Sequence, residues 1–263
     1  MSAMIRYIIL MLACMPLTGF AQNEMPAALN HLIAEALERN PALRAAQYRW
    51  DAARHRRHQV VAWDDPIFSY TRWASTPETR VGPQTNVFML SQRIPYPGKK
   101  GLLGDMADEE AAAVEARWQA TERDVAFQVK RAYYDLYRID RSIQTLDDYR
   151  SVLQTFTRVA EEQYATGTGS QTSVLKSQVE ASTVLERRLG FNRARTGIVA
   201  RINALRDRSP ETKVGAVTEI DLTRYTTPES LIIQQALTTR QELLEVDARI
   251  RRSDLMLRVA NLA

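Results

Sequence analysis

His55 and His58 stand three residues apart, a spacing that sets both imidazoles on one side of a helix, where they could share a divalent cation. Arg54, Arg56 and Arg57 surround them and would repel a cation, and no neighbouring carboxylate or cysteine completes a ligand set. The pattern reads as a solvated basic face. Asp64-Asp65, Asp108-Glu109-Glu110, Asp147-Asp148 and Glu161-Glu162 offer paired carboxylates of the kind general acid–base chemistry uses. None lies at a catalytic spacing from a His, Ser or Cys, so they read as exposed helix faces and turn caps. With no glycine-rich phosphate loop and no nucleophile–base pair in sight, the expectation is a protein that is not an enzyme and holds no cofactor and no metal.

Two further groups could act by binding. Tyr133, Tyr134 and Tyr137 could line a conduit or stack on a ligand, but at helical spacing packing into a seam is the stronger reading. Gly167 and Gly169, in Thr166-Gly167-Thr168-Gly169-Ser170, mark a tight turn whatever its use.

The elements that hold these residues are mostly helical. Only ten Gly and ten Pro punctuate 263 residues, too few for a sheet-rich enzyme with many turns. The 35 basic and 31 acidic residues nearly balance, so nucleic acid is not the implied partner. Met1 to Ala21 reads as a secretory signal peptide (residues 1–21), with Arg6 before the apolar run Tyr7 to Ala13 and small residues before the cleavage point. Cleavage removes the only cysteine, Cys14, and suits an oxidising envelope compartment without disulfides. Met11-Leu12-Ala13 is a poor approach to a lipidated cysteine, so a lipoprotein is the weaker reading.

From Leu29 to about Val61 apolar residues recur every three or four positions, with a break at Asn40-Pro41, where Asn40 caps a helix that Pro41 opens. Ile67 to Trp73 and Asn86 to Ile94 read as two strands of a hairpin (residues 66–95), joined by a loop holding Pro77, Gly82 and Pro83. Large apolar residues fall on both faces of the second strand, and two strands alone are marginal in water. From Asp105 to Ala165 there is no Gly or Pro, a run that would make a helix roughly 90 Å long. Val125, Val129, Ala132, Leu136, Ile139, Ile143, Leu146 and Leu153 follow a 3.5-residue period within it, the mark of a left-handed supercoil against another helix. A second helix from about Thr172 to Asp207 presents Val174, Leu175, Val179, Val184, Leu185, Leu189, Val199, Ile202 and Leu205. Together they make an antiparallel coiled-coil hairpin over residues 103–207. A linker with little pattern follows over residues 208–228. With an offset of 200, Ile33, Ala36, Leu37, Leu43 and Arg49 then return as Ile233, Ala236, Leu237, Leu243 and Arg249, so residues 229–263 read as the start of a second, incomplete repeat after a first one over residues 22–207.

Several strings, in this order, resemble the TolC-type outer-membrane efflux proteins. Ala36-Leu37-Glu38-Arg39-Asn40-Pro41-Ala42-Leu43 is similar to the opening helix of that family. Asp65-Pro66 is similar to its approach to the first strand, and Leu90-Ser91-Gln92-Arg93-Ile94-Pro95-Tyr96-Pro97-Gly98-Lys99-Lys100 to the exit from the second, in a form frequent among heavy-metal-efflux members. Tyr164 to Ser170 followed by Val174-Leu175 resembles the helical tip. The resemblance implies a mainly α fold: a long antiparallel coiled-coil helical hairpin with a two-stranded membrane β-hairpin, apparently truncated after the first repeat. It further implies an outer-membrane channel of a tripartite efflux system, trimeric in the family, passively exporting small molecules or metal ions delivered by an inner-membrane pump and a periplasmic adaptor (membrane fusion) protein. The site residues it implies are Gly167, Thr168, Gly169, Ser170 and Val174 as an adaptor-docking tip, and Phe68, Tyr70, Trp73, Phe88 and Leu90 on the membrane hairpin. Trp63, Trp73 and Tyr96 sit where interfacial aromatics or ordinary strand-end packing are both open. The alternatives are a periplasmic coiled-coil adaptor or scaffold, and an inactive fragment of an efflux channel.

Overall fold

The computed structural model describes residues 27–75, 77–80, 82–83, 85–215, 217 and 227–262. The signal peptide reading at residues 1–21 lies outside the described residues, as does most of the linker before residue 227.

Helix α1 (Ala27–Arg39) stops and α2 (Pro41–Arg54) starts around Asn40. Pro41 has no amide hydrogen to lose at that position, and the Asn40 side chain accepts from the amides of Ala42 and Leu43 at 3.0 and 3.1 Å. A further break at His55, absent from the sequence-based expectation, separates α2 from the short α3 (Arg56–Val61).

Strand β1 (Ile67–Arg72) then pairs antiparallel with β4 (Asn86–Ser91), Phe68 facing Leu90 and Tyr70 facing Phe88. The connection expected to be a loop contains a second, two-residue pairing of β2 (Glu78–Thr79) with β3 (Gly82–Pro83).

Helix α4 (Lys99–Ala165) runs 67 residues, about 100 Å at the usual rise per residue. It begins earlier than the expected start near residue 103 and carries Gly101 and Gly104 inside its first turns. A side chain at Gly104 would meet Val61 Cγ1 at 2.8 Å, so α3 lies against α4 at a distance that only glycine permits. Helix α5 (Gln171–Leu205) returns along α4 for about half its length. The base half of α4 is covered by α1, α2 and α3 and by a later helix. Leu29 and Ala36 of α1, Val129 and Leu136 of α4 and Ile202 of α5 are fully buried in one cluster at this base. Each such Leu or Ile contributes about 2 kcal/mol by leaving water.

The seam is buried at Val125, Val129, Ala132, Leu136, Ile139 and Leu153, and half-buried at Ile143 and Leu146. Tyr133 belongs to the core cluster, whereas Tyr134 is partly exposed and meets it edge-on with ring centroids 6.0 Å apart. The α5 face expected from sequence is covered only in part. Val184 and Ile202 are buried, but Leu175, Val179, Leu185 and Leu189 are exposed, as are Val152, Phe156 and Val159 on α4. Two helices can cover one stripe of each other, and these residues lie on the flanks of that stripe.

Helices α6 (Glu229–Thr239) and α7 (Gln241–Ala260) complete the described chain. They break at Arg240, 200 residues after Asn40, and the two break residues have nearly the same backbone: φ −57° and ψ 121° at Asn40, φ −75° and ψ 121° at Arg240. Like α2, α7 lies along the base of α4.

Candidate functional site

Three places gather the chemistry-bearing residues: the turn between α4 and α5, the β1–β4 hairpin, and a polar node at the base.

At the turn, α4 ends in a glycine-terminated cap. Thr168 N–H donates to the Gln163 carbonyl at 2.9 Å and Gly167 N–H to the Tyr164 carbonyl at 3.0 Å, with Gly167 at φ 73°. This pair of bonds satisfies the last carbonyls of the helix and needs a left-handed residue at its centre. Gly169 is required for a different reason: a Cβ there would lie 2.8 Å from Gln163 Cβ and 3.0 Å from the backbone of Gln163 and Tyr164. Ser170 caps α5, accepting from Ser173 N–H at 3.3 Å. The glycines therefore shape the turn. The outward chemistry belongs to exposed Thr168, Tyr164 and Leu175, while Val174 is half-buried. The Thr168 and Thr166 hydroxyls lie 2.9 Å apart, one donating to the other.

In the hairpin, cross-strand register sorts the side chains more cleanly than the sequence suggests. Phe68, Tyr70, Phe88 and Leu90 share one face, and Ile67, Ser69, Thr71, Val87, Met89 and Ser91 the other. The second strand read alone looks apolar on both sides. Pairing adds two aromatics of β1 to one face and Ile67 with two hydroxyls to the other, so the second face mixes apolar and hydroxyl side chains. Tyr70 and Phe88 rings stack at 4.9 Å, and Tyr70 donates its hydroxyl proton to Asn86 Oδ1 at 2.9 Å. Among the described residues the aromatic face stays open: Phe68 is 66% exposed, Phe88 68% and Leu90 74%. Trp63, Trp73 and Tyr96 at the strand ends are exposed as well.

The node was not legible from sequence. Glu35 of α1 is buried, and its carboxylate accepts from Arg206 Nη1 at 2.8 Å and from Arg208. Burial pushes the Glu35 carboxyl up, but the bonds from Arg208 and Arg206 and their charges outweigh it and hold it below the usual carboxylate range. Fully buried Asn203 donates to the carbonyls of Pro210 and Thr212 at 3.0 and 2.7 Å, and Asn40 donates to the Leu205 carbonyl at 2.9 Å. These bonds pin the end of α5 and the start of the following segment onto the α1–α2 junction, so the linker is tied down where it begins.

The histidines and acids behave differently from one another. His55 and His58 are exposed. Among the described residues there is no group of three His, Cys, Asp or Glu side chains that could hold a metal ion. The acidic run expected to be a free surface is engaged instead: Arg57 pairs with Asp105 and Asp108, Arg251 with Glu109 at 2.9 Å and Arg252 with Glu110 at 3.1 Å. Asp147 likewise takes Arg188 at 2.6 Å across the α4–α5 hairpin. Sequence alone could not pair residues 41 to 142 positions apart.

With this geometry in hand, the family model for outer membrane efflux proteins matches residues 32–206, well over half of the chain. The chain belongs to the outer membrane efflux protein family. That family is one of channels rather than enzymes. The outer membrane efflux fold is also found by structural comparison. The outer membrane protein VceC from Vibrio cholerae superposes with a TM-score of 0.73 at 21% identity, over 89% of this chain and 59% of VceC. The outer-membrane channel OprN gives 0.74 at 18%, over 90% and 56%. CusC, described for its transmembrane channel formation, gives 0.71 at 15%, over 87% and 55%. This efflux-family chain thus spans less than three-fifths of the length of each. No curated protein sequence matches it. Among the described residues no helix is long and apolar enough to cross a membrane.

Proposed function

We propose that this chain is one unit of an outer-membrane export duct, whose strands join a shared barrel and whose long helices join a shared periplasmic tunnel. The observation that carries this reading is the β1–β4 face. Four large apolar side chains, Phe68, Tyr70, Phe88 and Leu90, stand exposed on one side, while the aliphatic hydroxyls of Ser69, Thr71 and Ser91 fall only on the other, among Ile67, Val87 and Met89. Lipid outside and water inside demand that alternation in a barrel. A two-stranded hairpin does not survive alone, so the strands must come together from several units, with homotrimers the family's form.

The helical end supports the same reading. Apolar residues left bare on both flanks of the α4–α5 hairpin need helices from other units beside them, which a closed tunnel supplies. Transport through such a duct is passive, with energy supplied at the inner membrane by a pump. The tip, Gly167 to Ser170 with Val174, docks a periplasmic adaptor protein, and small molecules or metal ions are the cargo. Residues up to 207 form the first repeat and residues 229–263 begin a second.

Fractionation tests this directly. The chain expressed with its leader should sediment with outer membranes as an oligomer that resists detergent until heated, and a photo-crosslinker at Thr168 should join it to a co-expressed adaptor. A soluble chain in the periplasmic fraction, with no adaptor adduct, would overturn the proposal.

A further inference from the structure

The two helices that follow the equivalent breaks, α2 and α7, both lie on α4 yet use opposite sides to do so. Leu43 and Ala46 of α2 are buried, Trp50 stacks on Trp118 of α4 at 4.9 Å, and Arg57, just beyond, reaches Asp105 and Asp108. Their counterparts 200 positions on are Leu243, Val246, Ile250 and Leu257, and all four are exposed. Helix α7 instead turns Gln241, Ala248, Arg251 and Arg252 to α4. Gln241 Nε2 donates to Gln119 Oε1 at 3.3 Å, Arg251 and Arg252 pair with Glu109 and Glu110, and Arg123 donates to the Thr239 carbonyl at 3.0 Å. Ala248 is only 1% exposed, its methyl group fully covered.

On α2 the matching positions are occupied by Pro41, Tyr48, Asp51 and Ala52. Tyr48 is 65% exposed, and Pro41 and Ala52 on the same side are exposed as well. Set into the seat that α7 occupies, α2 would bring a phenol to the position of the buried methyl. It would place Asp51 against Glu109, and it would leave Glu110 without its arginine. Size and charge sign both oppose the exchange.

We propose that the α4 face bearing Glu109, Glu110, Gln119 and Arg123 is a selective seat for an α7-type helix and rejects the α2 helix of a second copy. Units of the first kind therefore cannot stand side by side through this seat, and a ring closed by repeating the first unit alone is excluded. Each seat is filled by α7, from its own chain or exchanged from another copy. This rests on the reading of the chain as one unit of a shared cylinder only for its consequence; the seat itself is tested by crosslinking within one chain and between copies.

Cysteine crosslinking in a full-length Cys14→Ser background tests it, using a short bifunctional thiol reagent. Gln119→Cys with Gln241→Cys should be joined in high yield. Copies carrying Gln119→Cys mixed with copies carrying Pro41→Cys should give no joined pair. Adding Ala248→Tyr, Arg251→Asp and Arg252→Ala to the first pair should lower its yield at least about fivefold. Arg251→Glu with Arg252→Glu should also lower it, and Glu109→Arg with Glu110→Arg in the same chain should restore it, which separates loss of selectivity from misfolding. Joining of positions 119 and 41 between copies, an unchanged yield in the triple variant, or failure of the charge exchange to restore the pair would each overturn the proposal. None of these outcomes depends on whether the chain reaches the outer membrane.

Discussion

Asn40 joins two helix ends that lie 165 residues apart in the chain: its side-chain oxygen caps α2 while its side-chain nitrogen donates to the Leu205 carbonyl at 2.9 Å. One amide thus closes the start of one helix and the end of another. Asn40→Ala loses the cap and orphans a partly buried carbonyl, and should cost about 2 kcal/mol. Asn40→Asp keeps the cap but cannot donate, and should cost about half as much. Urea unfolding at one fixed protein concentration measures both, and no loss in Asn40→Asp would show that the bond to Leu205 contributes nothing.

The neighbouring Glu35 makes the base acid-sensitive. Its folded-state pKa lies below its unfolded value, so the stabilisation is complete above the usual carboxylate range near pH 4.5 and is lost as pH falls through and below it. Glu35→Gln leaves Arg206 buried with a weakened partner and should cost about 3 kcal/mol at pH 7. The difference between the native chain and the variant should shrink as pH falls below that range. A difference that stays constant between pH 7 and pH 3 would contradict an ionised Glu35 at the node.

At the helical tip, the two glycines should fail in distinguishable ways. Gly167→Ala keeps the turn at a cost of about 1 kcal/mol, because the left-handed backbone carries a Cβ only under strain. Gly169→Ala forces the turn open against Gln163 and Tyr164 and should alter tip geometry itself. Amide exchange at Thr168 and Gly169 reports this, with protection kept in the first variant and lost in the second. A change confined to the exposed Leu175 should leave exchange unaltered while weakening adaptor crosslinking.

The β1–β4 faces should tolerate charge unequally. Phe88→Asp or Leu90→Asp puts a carboxylate toward lipid and should remove most of the chain from the outer-membrane fraction, whereas Ser69→Asp or Thr71→Asp on the hydroxyl-bearing face should leave it there. Equal loss from both faces would contradict the assignment of the Phe88 face alone to lipid.

Much of this architecture can be read from residue spacing, because helices and turns are written locally. Asn40-Pro41 announces its break, the seam from Val125 to Leu153 announces its partner, and the offset of 200 announces a second opening helix. The start of α4 is misread because Gly101 and Gly104 look like breakers. Gly104 is there to admit α3, and its helical cost of about 1 kcal/mol is offset by that packing. The face of Phe88 becomes clear only through Tyr70 and Phe68 on the opposite strand. The Glu35 node is hidden altogether, since its arginines come from the far end of α5, and so is the discrimination between Ala248 and Tyr48, which depends on which side of each helix meets α4.

The account stands or falls on copies sharing their apolar surfaces. Native mass spectrometry of the full chain, extracted from membranes in mild detergent and compared with the same chain in detergent-free buffer, measures this most directly. A single detergent-bound assembly of three or more copies, lost or aggregated when detergent is withdrawn, is the predicted result. A well-folded lone copy of the same mass under both conditions would contradict it.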